Sequence, residues 1–395
     1  MGILKRNIIA LYIIKIAKWF MLFMPIIVLF YQENGLGLRD VLTLQAVYSI
    51  AVIALEIPSG YLADVWGRKK TIILGAIFGT IGFVIYSFTS GFYEFLAAEL
   101  VLGFAQSFIS GSDSALLYDS LKNDNKENYF IKYEGRVLAV GNFAETIAAL
   151  VGGFLAEISL RTPFYCQTIV AFVAIPAAFC LKEPAFIKSD VKMGFKHILS
   201  IVRFSLFKSK NLSYNILLSA IIGCATLTMA WFLQAYLCEI QGFSKYQIGI
   251  AWAIVNLTVG IATIFAYKIE KTIGNKMTIL LILLVISGSY IVLGLTDALF
   301  VFVVIWLFYI FRGIATPILK DYINRSCTPD IRATVLSVRN FVIRILFSVF
   351  GPFVGWYADV FSLQQAFLIS GILILSSGLI VFLVYFPLLR KNRKA

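Results

Sequence analysis

Apolar stretches of about twenty residues, parted only by short polar turns, run the length of this 395-residue chain. Their approximate limits are 8–31, 41–63, 71–90, 94–118, 133–158, 162–181, 212–238, 245–268, 277–295, 298–320, 332–358 and 363–388. Each is long enough, as a helix, to cross a hydrocarbon layer about 30 Å thick. Twelve such segments leave no room for a sizeable soluble domain. Composition agrees: 60% of residues are hydrophobic and 14% charged, against about 45–50% and about 25% in soluble domains. A soluble enzyme is excluded, and the fold class is an all-α membrane protein.

Charge sets the expected orientation. Of the 34 Lys and Arg, 26 fall in alternate inter-helix segments and termini, from Lys5 and Arg6 to Arg390–Lys394. The opposite loops hold three, Arg39, Arg161 and Lys245, and five lie inside apolar runs. This 26 to 3 asymmetry is a positive-inside signal, so both termini are expected in the cytoplasm of a bacterial inner-membrane protein. The net charge of +13 is spread over these loops and faces lipid headgroups, which leaves no reason to invoke nucleic acid as a partner.

The first apolar run, Ile8 to Tyr31, is longer than a signal-peptide core, contains Lys15 and Lys18, and reads as the first span. Cys166, Cys180, Cys224, Cys238 and Cys327 are scattered singly. With the lone His197 they offer no disulfide framework and no metal site, and no cofactor is expected.

The longest polar interruption, Lys182 to Asn211, lies at mid-chain. There Phe195, Ile198, Leu199, Val202 and Leu206 recur at helical spacing among Lys192, Lys196, Arg203 and Lys208, which predicts a basic amphipathic helix on the membrane surface. It separates a bundle over 1–181 from a second over 212–395. The two halves look like copies. Val137-Leu138-Ala139-Val140-Gly141-Asn142-Phe143 reads onto Val335-Leu336-Ser337-Val338-Arg339-Asn340-Phe341, and Gly60 to Ile72 reads onto Ala266 to Ile279 with one inserted residue. Two six-helix copies entering from the same side predict pseudo-symmetric bundles around a central cavity, a design that permits alternating access.

Gly60, Leu62, Asp64, Gly67 and Arg68, placed between the second and third spans, resemble the loop signature of the major facilitator superfamily, and the twelve spans and mid-chain linker fit that family throughout. The resemblance implies that Gly60 and Gly67 allow close helix contact and a tight turn. It also implies that Asp64 and Arg68 join a cytoplasmic latch near Asp119. Drug exporters of the family carry Arg in the outer part of helix 4 and a Gly-Pro-rich helix 5. Here helix 4 has Glu99, helix 5 has Gly152-Gly153 without proline, and Gly351-Pro352 sits in helix 11.

Charges inside spans are costly and mark candidate functional positions. In helix 4, Glu99, Gly103, Gln106, Ser110, Asp113 and Leu117 step by four and three along one expected face. Lys15 lies at about the depth of Asp113, so an ion pair and direct substrate contact both account for these two charges, with Lys18 on the same face. Asn142 and Glu145 share a face of helix 5. Glu99, Asp113 and Glu145 are the candidate proton carriers, with Asp113 and Glu145 expected to be the more deeply buried. The second half holds Arg312, Arg339 and Arg344 with no deep carboxyl. Arginine forks favour carboxylate or phosphate, so Arg312 and Arg344, with Asn340, Gln234 and Asn256, are expected to face an anionic solute. Gln106 and Asn142 are the corresponding polar candidates of the first half.

The leading expectation is a secondary active transporter for a small organic solute, an anion by the argument from the arginines, driven by protons and acting as a monomer. A proton-driven multidrug exporter is the alternative. A polytopic membrane enzyme is remote, because His197 supplies neither a nucleophile–base pair nor a metal cluster.

Overall fold

The computed structural model describes residues 2–126, 129–183, 200–298, 300–327 and 331–391, and among these all regular structure is helical. The helices are α1 (Ile3–Trp19), α2 (Ile27–Glu33), α3 (Leu38–Trp66), α4 (Arg68–Phe88), α5 (Phe92–Ile109), α6 (Ser112–Asn123), α7 (Phe130–Ile158), α8 (Thr162–Cys180), α9 (Lys210–Ala235), α10 (Lys245–Ile273), α11 (Asn275–Leu295), α12 (Val301–Arg325), α13 (Arg332–Val360) and α14 (Leu363–Lys391). Two π-helical turns, Phe204–Lys208 and Tyr236–Ile240, flank α9.

Among the described residues, eleven of the expected spans are helices long and apolar enough to cross a membrane. The segment read as the first span is instead split into α1 and α2, with irregular backbone from Phe20 to Ile26. The span 94–118 is also divided, into α5 and α6, at Ser110 and Gly111, where Gly111 has φ +82°. Along this span the polar stripe expected to run unbroken from Glu99 to Asp113 is therefore interrupted.

Contacts divide the chain into two compact units. One comprises 1–36, 43–189 and 237–253, the other 37–42, 190–236 and 254–395. In the first unit Leu4, Leu11, Ile14, Ile72, Leu116, Leu121 and Ala178 are buried in one apolar cluster drawn from α1, α4, α6 and α8. In the second, Ile201, Leu212, Ile216, Ile323 and Val335 form another, with Val202 and Leu206 packed against it. The end of the mid-chain linker thus seats its apolar side on the second unit. The rest of the expected amphipathic helix, with Lys192, Phe195, Lys196, Ile198 and Leu199, lies outside the described residues.

The segments 237–253 and 37–42 join their units through carboxylates placed on helix N-termini. In the first unit Glu157, near the end of α7, accepts a hydrogen bond from the Tyr246 backbone N–H at 2.9 Å. In the second, Asp359, near the end of α13, accepts from the backbone N–H groups of Leu38 and Arg39, both at 2.8 Å. A negative side chain on a helix N-terminus satisfies free donors and complements the helix dipole. Four residues before each carboxylate stands a glycine against which the partner backbone packs: Gly153 beside Gly249 and Lys245, and Gly355 beside Leu38 and Arg39. Gly153-Phe154-Leu155-Ala156-Glu157 and Gly355-Trp356-Tyr357-Ala358-Asp359 are therefore equivalent, at an offset of 202 that also relates the bounds of α7 and α13. This corrects the register of 198 read from Val137 and Val335. The error is one helical turn, which keeps the same face.

Candidate functional site

The break between α1 and α2 places the end of a helix beside the candidate charges of the first unit. The α1 ladder ends where the Phe20 N–H reaches the Ile16 carbonyl, and the Leu22 N–H is taken by Gln167 Oε1 of α8 at 2.9 Å. Gly152 of α7 leaves room for the Leu22 carbonyl, since a Cβ there would overlap that oxygen. A side-chain acceptor and a bare glycine thus hold an unwound segment inside the bundle, as irregular backbone at membrane depth requires.

Lys15 and Lys18 of α1, Asp113 and Ser114 of α6 and Glu134 of α7 line one recess together with Leu11, Ile14, Ile109, Leu117 and Val137. Lys18 stands in the last turn of α1 and Asp113 in the first turn of α6, so each charge complements the dipole of its own helix end. Ser114 donates to Glu134 Oε1 at 2.6 Å, and its backbone N–H is capped by Asp113 Oδ1 at 2.8 Å. The Lys15–Asp113 ion pair, one of the two readings of these charges, is absent from the ion pairs within 4 Å among the described residues. Lys15, 9% exposed, instead holds its ammonium 4.9 Å from the ring centroid of Trp19, a cation–π contact that stabilises a charge without neutralising it.

Glu99 lies elsewhere and is the most enclosed of the three candidate proton carriers, which reverses the expected order. It is 4% exposed, whereas Asp113 and Glu145 are half-buried. Its Oε1 accepts from Tyr31 (2.9 Å), Tyr86 (2.7 Å) and Gln45 Nε2 (2.6 Å). The rings of Phe30, Phe95 and Phe164 pack around the two tyrosines. Of the other first-half candidates, Gln106 is half-buried on α5 and Asn142 is exposed on α7.

In the second unit Arg339 is buried. It donates through Nε to Ser219 Oγ at 2.5 Å and through Nη1 to Asn340 Oδ1 at 3.0 Å. Asn340, one turn before Arg344 on α13, thus accepts from Arg339. Arg344 is half-buried on α13, and Gln234 is buried on α9 with its amide turned to the Ala230 carbonyl. Arg312 stands with its guanidinium 5.4 Å from the centroid of Tyr309. The Tyr309 hydroxyl and the Asn256 Nδ2 are both buried without a hydrogen-bond partner. They belong to α12 and α10, which touch where Gly313 meets Val259 and Ala262 and where Trp306 Nε1 donates to Thr258 Oγ1. Tyr309 and Asn256 therefore present donors that lack acceptors, on the helices that also carry Arg312. Tyr309 escaped the sequence reading because aromatic residues are too frequent here for one to stand out.

The expected latch is partly visible. Gly67 adopts φ +97° between α3 and α4, and Gly274 adopts φ +82° between α10 and α11, a left-handed turn that glycine alone takes readily, repeated in both halves. Arg68 pairs with Asp119 at 2.6 Å. Glu183 caps the start of α4 by accepting from the Arg68 and Lys69 N–H groups at 2.8 and 2.9 Å, a role not anticipated, because the two partners lie more than a hundred residues apart in the chain. Gly60 has open space around it, and the Asp64 side chain lies outside the described positions. Its counterpart in the repeat, Glu270, accepts from Tyr322 at 3.3 Å.

A family model described as Major Facilitator Superfamily matches residues 9–352 and, again, 241–395. The chain belongs to the Major Facilitator Superfamily. An uncharacterised transporter of this superfamily from Methanocaldococcus jannaschii is 22% identical, over 97% of this chain and 99% of its own. The class B tetracycline resistance protein of Escherichia coli is 24% identical over 71% of this chain and 69% of its own. The quinolone resistance protein NorA of Staphylococcus aureus strain MRSA252 is 21% identical over 68% and 70%. Among solved structures, the nucleoside transporter NupG superposes with a TM-score of 0.77 at 15% identity, covering 98% of this chain and 99% of its own. A bacterial homologue of the lysosomal transporter Spinster gives 0.76 at 15%, covering 97% of each chain. The superfamily fold is thereby shared along the whole chain, and this is a multi-pass membrane protein of a transporter family.

Proposed function

We propose that this member of the superfamily is a secondary active transporter that moves a small organic anion by alternating access, with protons as the coupling ion. It acts as a monomer in a bacterial inner membrane, with both termini in the cytoplasm, and its two sequence halves, 1–181 and 212–395, work as the moving parts. One observation carries the anionic substrate: among the described residues none of the ion pairs within 4 Å includes Lys15, Lys18, Arg312 or Arg339. Basic groups inside apolar spans that no carboxylate contacts within 4 Å, although Asp113 and Glu134 share the recess of Lys15 and Lys18, are stabilised when an anion binds. In the first unit Lys15 and Lys18 would hold the anion at the recess, with Gln106 and Asn142 as further contacts. In the second, Arg312 and Arg344 supply charge, and Asn256, Gln234 and Asn340 neutral hydrogen bonds. Proton exchange is assigned to Glu99, Asp113 and Glu145. The signature residues Gly60, Asp64, Gly67 and Arg68, at the junction of α3 and α4, govern the exchange of states together with Asp119.

A proton-driven multidrug exporter is the second reading, favoured by the resistance proteins among the relatives. Counterflow in proteoliposomes, with a panel of carboxylates and phosphate esters set against cationic drugs, separates the two. The proposal expects exchange of an anion that is inhibited by other anions. Exchange of cationic drugs alone contradicts it.

A further inference from the structure

Three oxygens meet in the interior of the first unit: Tyr31 Oη, Tyr86 Oη and Glu99 Oε1. Tyr31 and Tyr86 are 2.5 Å apart, Tyr31 and Glu99 2.9 Å, and Tyr86 and Glu99 2.7 Å. All three separations are hydrogen-bond distances, and two oxygens so close repel each other when no hydrogen lies between them. The two phenols bring one hydrogen apiece, and an ionised carboxylate brings none. With Glu99 ionised, one edge of the triangle is therefore empty. Either the two phenol oxygens face each other at 2.5 Å with lone pairs only, or a phenol lone pair faces a carboxylate oxygen. The Gln45 amide, at 2.6 Å from Oε1, adds a hydrogen to Glu99 but none to the triangle.

The surroundings supply no counter-charge. Tyr31, Tyr86 and Glu99 are 0%, 1% and 4% exposed, and no Lys, Arg or His nitrogen among the described residues makes an ion pair with Glu99. Its neighbours come from four elements besides its own: Tyr31 from α2, Gln45 from α3, Tyr86 from α4 and Phe164 from α8. Arg161, just before α8, is turned away. Its guanidinium donates to the Ser87 and Thr89 carbonyls, to Asn34 Oδ1 and to Ser90 Oγ, and lies 5.2 Å from the centroid of Phe30. On α5 itself, Glu94 folds toward Gly91. Three donors reach Glu99, but a buried carboxylate left ionised with no counter-charge is still disfavoured by its desolvation.

We propose that Glu99 holds a proton in this conformation and is a proton-binding site of the transporter, closed by Tyr31, Tyr86 and Gln45. The proton on Oε1 completes a ring in which Glu99 donates to one tyrosine, that tyrosine to the other, and the second back to Oε1. Release requires the ring to open, because the ionised form leaves one contact without a hydrogen. Loss of the proton is thus tied to separation of α2, α4 and α5. This inference rests on the proton-coupled reading above for its role in transport, but not for the protonation itself.

Infrared difference spectroscopy of the purified protein, wild type minus Glu99→Gln, tests the protonation at neutral pH. The expected result is a carbonyl stretch of a protonated acid that is lost in Glu99→Gln and displaced in Tyr86→Phe, which retains the carboxyl. A carboxylate stretch in its place overturns the proposal. Should Glu99→Gln fail to fold, the Tyr86→Phe displacement reports the same group. In proteoliposomes Glu99→Gln is expected to keep counterflow while its steady-state accumulation under a pH gradient falls to the level found without one. Undiminished accumulation in that variant overturns the coupling role. If wild type itself never responds to a pH gradient while the infrared band is present, the proton-coupled reading fails and the protonated site stands.

Discussion

At Arg312 the proposed anionic substrate can be tested on a single side chain. Its guanidinium lies 5.4 Å from the ring centroid of Tyr309, whose hydroxyl is buried without a partner, as is the Asn256 Nδ2 on the neighbouring helix, so this patch of the second unit holds donors left without acceptors. Arg312→Ala is expected to weaken anion binding about tenfold or more, roughly 1.4 kcal/mol. Arg312→Lys is expected to lose nearly as much, because lysine keeps the charge but not the planar fork. Equilibrium binding of a transported anion to both variants checks this, and full affinity in the lysine variant contradicts the planar-fork account. Arg312 and Glu99 were legible in the sequence as charges inside apolar runs. Their partners were not: Tyr31 and Tyr86 come from spans other than that of Glu99, and only packing brings them to it.

At the level of elements, hydropathy located nearly every helix but missed both breaks. Phe20 to Ile26 averages as apolar, which hid the local signal of Pro25, a residue without an N–H that disfavours helix at Met24; the Gln167 side chain that takes up the freed Leu22 N–H is 145 residues away. The Ser110-Gly111-Ser112 break carried a local signal that apolar periodicity overrode. Gly152→Ala tests the support of the first break. Its Cβ would overlap the Leu22 carbonyl, and overpacking of this kind costs about 1–3 kcal/mol, so the melting temperature in detergent should fall by several degrees. Gly260→Ala, with open space around it, should leave it almost unchanged, and equal effects would show that close approach is not what matters at Gly152. The paired carboxylate caps give a second expectation. Asp359→Asn keeps an acceptor but removes the charge, losing roughly 0.3–1 kcal/mol from the N-terminus of α3. Hydrogen exchange at Leu38 and Arg39 should rise in that variant, and unchanged protection would mean the cap is incidental. The four-residue error in the α7–α13 register has a related cause: a shift of one turn preserves the apolar face, and only the Gly-x-x-x-acid pattern, read with its backbone contacts, fixes the alignment.

For the molecule as a whole, apolar segments, loop charges and the Gly60 to Arg68 signature were enough to reach the family, since all three follow from crossing a bilayer repeatedly and turning tightly on one side. Substrate and coupling were not reachable in the same way, because they depend on which polar groups lack partners once the helices pack. The latch belongs to this scale. Arg68→Ala breaks the pair with Asp119, and as a change in a conformational equilibrium it should reduce turnover far more than substrate affinity. Initial rates and binding measured in the same vesicles check the split, and lost affinity at normal turnover would place Arg68 in the substrate site instead. The central claim is that an anion and protons move together through this protein. The most direct measurement is the internal pH of proteoliposomes, read with a trapped dye, when a transported organic anion is added outside in the absence of any imposed gradient. The account predicts a pH change that requires the anion, saturates with it and is abolished in Glu99→Gln; anion entry with no movement of protons would contradict it.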